Sequence, residues 1–473
     1  MYHGGMTKPL RLKLDRSAKT PLAEQIRKGI SAAIESGVLA PRARLPSWQD
    51  LAAQLGVARG TVRSAYEKLS AAQLIVASRS TGTHVADRPS IAVRQEETPD
   101  PDSFIEMYRD LTTGPAVFQM GVPAQETFPA KLLARIRSQA VRAESSAPAI
   151  YPDPRGELEL RREIAGYLAI ARRIECSPSQ ILITAGFSGG LGLALRALGL
   201  EGRKAWVEDP GFPFTRRGIE LARLSLAPIP VDADGIDVDH GLRHAPDAAM
   251  IVVTPGQQAP LGSTLSLARR LRLLDWAAQE GVWIIEDDYL SELQLKGRAA
   301  PALASLDRAG RVIHIGSFSK TLTPSLRLGF VVVPMTLASR FAEIAASLAP
   351  APGPSVQLAT AAFMRDGHYM RHLRRTKRVY AAQSDALLKY LQPRARDVVV
   401  AGLAVLLRLP DGAPDHAIAR ETLSFGLAPA PLSLWHASAA SARSGLLLGV
   451  ATAPPRRLAA SCDRLFGIID RLV

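Results

Sequence analysis

From residue 181 onward, six short apolar runs alternate with longer stretches of helical periodicity. The runs cover 181–184, 205–208, 250–254, 282–286, 312–316 and 328–333. Each is too short for a stable helix and too apolar for a strand with one wet face. Such strands, separated by amphipathic stretches like 266–280, specify a mostly parallel sheet covered by helices on both sides. The expected class is α/β. A chain of 473 residues, 47% of them hydrophobic, has ample material for that core and for one or two further domains.

The first 94 residues break the pattern. They hold 15 Lys and Arg against 6 Asp and Glu, which is +9 of the chain's formal +14. A basic module on a near-neutral body points to a polyanion partner, most simply nucleic acid. A helix is expected over 21–36, with Thr20 as N-cap, Pro21 in the first turn and Gly37 as stop. Ser47 caps a second helix over 48–55, which Gly56 ends, and a third begins near Arg59. Helix, short turn with glycine, helix is the helix-turn-helix arrangement. In the third helix Val62, Ala65, Tyr66 and Leu69 share one face. Arg59 and Arg63 lie outside it, where guanidinium groups can meet phosphates and guanine edges. Residues 74–78 and 83–85 flank Arg79-Ser80-Thr81-Gly82, a hairpin with a basic tip that adds a wing. Residues 87–112, with Pro89, Pro99, Pro101 and mixed charge, read as a linker.

Two cysteines far apart, Cys176 and Cys462, make neither a disulfide framework nor a metal cluster, and a reducing cytosol suits them. The N-terminus shows no apolar signal segment. The longest uncharged stretch, 344–364, is interrupted by Pro350, Pro352, Gly353 and Pro354. It reads as two helix ends and a loop, not a membrane span.

The chemistry concentrates around Gly316-Ser317-Phe318-Ser319-Lys320. A lysine beside a core strand loses solvation, so its amine is easier to deprotonate and can attack a carbonyl. Ser317, Ser319 and Arg327 surround it with groups suited to an anion. Together they suggest a Schiff base to pyridoxal phosphate. That cofactor needs a carboxylate beside its pyridine nitrogen, and Asp287, at the end of the run 282–286, is the candidate. Tyr289 is placed to donate to the ring hydroxyl. A metal at Asp287-Asp288 lacks a nearby His or Glu cluster. The glycine-rich turn 183–190, between a strand and a helix, offers backbone N–H groups to a phosphate. Phe212 can stack on a pyridine ring, or else fill the core.

These segments resemble known families. Pro21-Leu-Ala-Glu-Gln-Ile, Leu45-Pro46-Ser47, Leu51 to Val57, Arg59-x-Thr61-Val62-x-x-Ala65-Tyr66 and Gly82-Thr83 resemble the GntR-type winged helix. The remainder resembles fold-type I aminotransferases, and the combination resembles the MocR regulators. The resemblance implies DNA contacts at Ser47, Gln49, Arg59, Thr61, Arg63, Arg79 and Gly82. Gln49 stands where the family often has arginine, so one charge is lost. It implies that Lys320 is the Schiff-base lysine, with Asp287, Tyr289 and Phe212 around the ring. Phe187, Ser188, Ser317, Ser319 and Arg327 would hold the phosphate. Tyr151, in Tyr151-x-Asp153-Pro154-x-Gly156, would reach the phosphate of a partner subunit, which implies a homodimer. The implied domains are 15–86 (winged helix), 87–112 (linker) and 113–473 (aminotransferase-like). The last divides into a large part, about 145–340, and a small part, about 345–473, of α+β type.

Two departures bear on function. Aminotransferases carry an arginine that forks onto the substrate carboxylate; the matching segment here is Leu446-Leu447-Leu448-Gly449-Val450, with Leu447 in its place. Losing that contact removes about 1.5–3 kcal/mol of selection for a carboxylate. The Asn-Pro-x-Gly-like turn reads Gln257-Gln258-Ala259-Pro260-Leu261-Gly262. The expectation is a cytoplasmic, PLP-binding regulator of promoter DNA that senses PLP or its adduct with an amine or amino acid, with no metal and no membrane. Sensing rather than turnover would be the task of the aminotransferase-like domain. The alternative is an active aminotransferase with a vestigial DNA-binding head.

Overall fold

The computed structural model describes residues 12, 14–18, 20–78, 82–87, 116–295, 297, 299–395, 397–438 and 441–473. The chain divides into two compact units, 1–101 and 102–473.

In the first unit, helices α1 (Leu22–Glu35), α2 (Trp48–Leu55) and α3 (Arg59–Ala71) precede strands β1 (Ile75–Ser78) and β2 (Gly82–Val85). The strands pair antiparallel, Ile75 opposite Val85. Ser47 caps α2 by accepting from the Asp50 N–H, and Gly56 closes it in the left-handed region, as a glycine can at little cost. The start of α1 differs from expectation. Pro21, not Thr20, is the N-cap, and no side chain caps the helix. Gln25 instead ties down the entering chain, donating to the carbonyls of Asp15 and Thr20 and accepting from the Asp15 N–H. One core, with Ile26, Ile30, Leu51, Val62, Ala65 and Leu69 fully or almost fully buried, joins the three helices.

The second unit is built on an eight-stranded sheet. Its strands are β3 (Ile181–Thr184), β4 (Lys204–Asp209), β5 (Ser225–Asp232), β6 (Gly235–Ile236), β7 (Met250–Val253), β8 (Trp283–Asp288), β9 (Val312–Ser317) and β10 (Gly329–Val332). Their spatial order is β3-β10-β9-β8-β7-β4-β5-β6. The central strands β9, β8, β7, β4 and β5 run parallel. β10 is antiparallel to both neighbours, and β6 turns back on β5. All six expected runs are strands. β5 was not expected, because it alternates exposed and buried residues and contains Pro228 and Pro230. Prolines are tolerated there because β5 lies near the sheet edge, paired beyond it only by the two-residue β6.

Ahead of β3 lie α4 (Ala130–Ser146) and α5 (Leu158–Ala171), and between strands lie α6 (Gly186–Leu198), α7 (Pro213–Leu221), α8 (Val238–His244) and α9 (Leu267–Glu280). Separate apolar clusters fill the two faces: Leu191, Ala194, Ile313 and Ile315 on one, Ile181, Ile183, Phe318 and Phe330 on another. A second, antiparallel sheet has the order β11 (Val398–Ala401), β12 (Ala404–Arg408), β14 (Gly445–Gly449), β13 (Ala430–Pro431). A strap at 116–121 crosses it: Val117 pairs with Leu427, and the Phe118 carbonyl accepts from the Gly449 N–H.

Candidate functional site

In the first unit, Arg59 opens α3 and Arg63 lies one turn on, both exposed, while Val62, Ala65, Tyr66 and Leu69 face inward. Thr61 is half-buried beside them, and Gln49 is exposed on α2. The Ser47 hydroxyl is engaged by its own helix, donating to the Asp50 carboxylate at 2.7 Å. Arg63 is paired with Glu67 at 3.0 Å, a contact four residues apart that the sequence reading did not include. Gly82 opens β2 with φ +86°, and the Arg44 guanidinium lies 3.5 Å from where its Cβ would be. Arg79 lies outside the described residues.

In the second unit, Lys320 follows the end of β9. Its ammonium donates to the Gly121 carbonyl at 2.5 Å. Burial pulls the lysine's pKa down to about 8, against the opposing charge of Asp287. Asp287 is buried on β8, and burial, then the charges of Asp288 and Glu208, push its carboxyl well above the usual range. Among the described residues it has no ion pair, so it is a carboxylate site suited to a cation.

Asp288 is the next residue, and the pleat sends it to the opposite face. There it meets Arg172 at 2.7 Å, with both side chains at most 5% exposed. Glu286, on the same face, accepts from Leu303, Ala304 and His314. Burial raises the Glu286 pKa, but His314 and those N–H groups outweigh it and hold the carboxyl near 2. The Asp-Asp pair is thus no metal site: its members look in opposite directions. Among the described residues no group of three or more His, Cys, Asp or Glu could hold a metal.

Phe212 caps the start of α7 and lines one cavity together with Asp287, Glu208, Thr215 and Arg216. Its ring lies 6.4 Å from Phe187 and 5.7 Å from Trp435. Glu208 was not foreseen as a site residue. It accepts from the Thr254 N–H and hydroxyl and from Gln258, and burial pushes its carboxyl up to about 7. Tyr289 is half-buried, and its phenol is held well above its usual pKa by burial and then by Asp287.

The candidate anion end lies at α6. No side chain caps this helix, so its first N–H groups, those of Gly186, Phe187 and Ser188, are left for a ligand. The Arg327 guanidinium reaches over them, donating to the Ala185 carbonyl at 3.0 Å. A Cβ on Gly186 would sit 3.9 Å below that guanidinium, so the glycine leaves an opening there. Ser317 and Ser319 lie next to Lys320, the Ser317 hydroxyl accepting from the Ser319 N–H. Tyr151 stands apart. It is 100% exposed, next to a turn made rigid by Asp153, Arg155 and Arg161. Leu447, at the centre of β14, is fully buried among Leu406, Ala430, Leu432 and Trp435.

These features fit a pyridoxal phosphate: a lysine of lowered pKa, a buried carboxyl with no ion pair among the described residues, an aromatic ring on the same cavity, and an uncapped helix under an arginine. A winged helix joined to such a fold defines a class of DNA-linked regulators. Residues 22–85 match the bacterial regulatory proteins of the gntR family, and residues 117–419 match aminotransferase class I and II. That second family uses pyridoxal phosphate. The chain is 33% identical over 465 residues to the probable rhizopine catabolism regulatory protein MocR of Rhizobium meliloti, covering 94% of this chain and 93% of the relative. It is 32% identical to the pyridoxine biosynthesis transcriptional regulator PdxR of Corynebacterium glutamicum, covering 77% and 76%. It is 30% identical to the transcriptional regulator TauR of Rhodobacter capsulatus, covering 80% and 82%. Among solved structures, Pyrococcus horikoshii kynurenine aminotransferase matches with TM-score 0.70 at 22% identity, over 78% of this chain and 94% of that one, which shows the shared fold. The chain belongs to the MocR-type regulators of the GntR family. It is a transcriptional regulator, and the alternative of an aminotransferase with a vestigial head gives way. Among the described residues no helix is long and apolar enough to cross a membrane.

Proposed function

We propose that this regulator binds promoter DNA through residues 15–86 and binds pyridoxal phosphate in residues 113–473, reading the cofactor alone or joined to an amine or amino acid. The expected linker, 87–112, lies outside the described residues apart from Asp87, and the effector unit divides near 340–345 into a large and a small part. The observation that carries the reading is Lys320, of lowered pKa and held on the Gly121 carbonyl, within reach of the charge of the buried Asp287, in a unit that also holds the uncapped start of α6.

Bound pyridoxal phosphate supplies an aldehyde carbon and an electron-withdrawing ring. Lys320 supplies the amine, neutral in a larger fraction than an ordinary lysine. Asp287 holds a proton on the ring nitrogen, and that cation relieves the cost of its own burial. Tyr289 donates to the ring hydroxyl, and Phe212 covers the ring. Phe187 and Ser188 offer N–H groups, while Ser317, Ser319 and Arg327 complete the anion's surroundings. Tyr151, fully exposed, is the residue that would enter a partner's site in a homodimer. On DNA, Arg59 and Arg63 meet the duplex with Ser47, Gln49, Thr61, Arg79 and Gly82. A reducing cytoplasm suits the free thiols Cys176 and Cys462.

A ligand moves such a regulator only by its differential affinity for two arrangements. The test is a DNA mobility-shift titration with and without pyridoxal phosphate, followed in parallel by visible absorbance. Wild-type protein should gain a visible band that Lys320→Ala lacks, and its DNA complex should change with the band. A band retained in Lys320→Ala would sink the lysine assignment.

A further inference from the structure

We propose that the ligand read beside Lys320 is a primary amine that carries no carboxylate. This rests on Lys320 being the cofactor's lysine. One side of the site around that lysine is apolar. Met120 precedes Gly121, whose carbonyl holds Nζ. Phe212 lines the same cavity as Asp287, and Tyr289 follows it on the chain by two residues. All three lie against the cluster around Leu447, which is itself 0% exposed.

Three nearby arginines are committed elsewhere. Arg216 lines the cavity, yet its guanidinium donates to four backbone carbonyls, those of Gly211, Leu434, Trp435 and His436. Arg443, just before β14, pairs with Asp411 at the surface. Arg327 belongs to the anion end, over α6. A carboxylate set against Leu447 would lose its water, and the leucine returns neither a charge nor a hydrogen bond. One buried polar atom near this cluster has the opposite character. Gln257 Oε1 is buried with no hydrogen-bond donor, and its amide lies against Gly402, in the turn between β11 and β12. A carbonyl oxygen accepts an N–H or O–H.

The amine's nitrogen takes the place of Nζ on the cofactor's aldehyde carbon. One carbon–nitrogen double bond would form as another breaks, the protons shed by the incoming ammonium would pass to the lysine nitrogen, which leaves as an ammonium, and nothing is oxidised or reduced. The freed ammonium can return to the Gly121 carbonyl.

The experiment uses the full chain loaded with pyridoxal phosphate and titrated with matched pairs: isoamylamine against leucine, and phenethylamine against phenylalanine. Visible absorbance and DNA mobility are both read. Each amine should shift the band, and the DNA complex with it, at a concentration at least about ten-fold below its amino acid, the scale of one charge-assisted contact. Leu447→Arg should narrow or reverse that ratio. Should the variant misfold, the wild-type ratio still decides. A normal band that the amino acids shift as readily as the amines, or that neither shifts, overturns this proposal alone. A band that fails to form on loading, or that survives Lys320→Ala, overturns the cofactor reading and this one with it.

Discussion

Lys320 Nζ and the Gly121 carbonyl, 199 positions apart in sequence, are joined by a 2.5 Å hydrogen bond. Gly121 has φ +76°, and a Cβ there would stand 2.7 Å from Nζ. Gly121→Ala should therefore displace the lysine as well as strain the backbone, costing about 1–2 kcal/mol for the left-handed residue. Stopped-flow mixing with pyridoxal phosphate should show slower attachment, and the melting temperature should fall. Unchanged attachment would mean that the contact does not position the amine.

The lowered pKa of Lys320 sets a pH dependence. Attachment should accelerate as pH rises towards about 8 and level off above it, because the neutral amine is the nucleophile. Stability follows the same group. An unfolded lysine titrates near 10.5 and the folded one near 8, so between those values the unfolded chain holds more protons. Stability of the cofactor-free protein should rise with pH across that window. Denaturant midpoints at its two ends, compared with Lys320→Met, measure the contribution.

Asp287 and Asp288 should respond oppositely to the same change. Asp288→Asn leaves Arg172 buried without its charge partner and should cost about 3–5 kcal/mol. Asp287→Asn removes a carboxyl that burial keeps above its ordinary pKa. Ionising such a group costs the folded state as pH rises above the carboxylate's normal range. The cofactor-free Asp287→Asn protein should thus be as stable as wild type at neutral pH, or more so, yet lose most of its affinity for pyridoxal phosphate. Thermal melts paired with cofactor titrations separate the two variants.

The Arg63–Glu67 pair gives a prediction on DNA. Both side chains are about two-thirds exposed, so the pair itself is worth little. Glu67 nevertheless competes with phosphate for Arg63. Glu67→Gln should tighten DNA binding about two- to five-fold at low salt. Arg59→Ala and Arg63→Ala should each weaken it and lower the salt slope by about 1. Fluorescence anisotropy at several salt concentrations reads both effects.

The parts of this molecule that were legible in sequence are those set by local rules. Ser47 and Gly56 bracket α2 as capping chemistry requires, and the apolar runs became strands because burial on both faces leaves few other outcomes. β5 escaped because its alternation and two prolines match an edge, not a core. In the site, the lysine, aspartate and arginine could be proposed from their positions at strand ends. Glu208, the Arg172–Asp288 pair and the Gly121 contact could not. Their partners lie 46, 116 and 199 residues away, and no periodicity encodes such distances. Asp288 carries the clearest lesson: two identical neighbours read as one feature until the pleat assigns them to different environments.

That pleat makes the chemistry of β8 a matter of parity. An odd-numbered side chain here meets the lysine, and the even-numbered ones on either side meet His314 and Arg172. Inserting one residue ahead of Glu286 would exchange these surroundings without altering a single functional residue. Inserting two would restore the alternation and shift every group along the strand instead. Counting from the strand's start thus matters as much as which acids it contains.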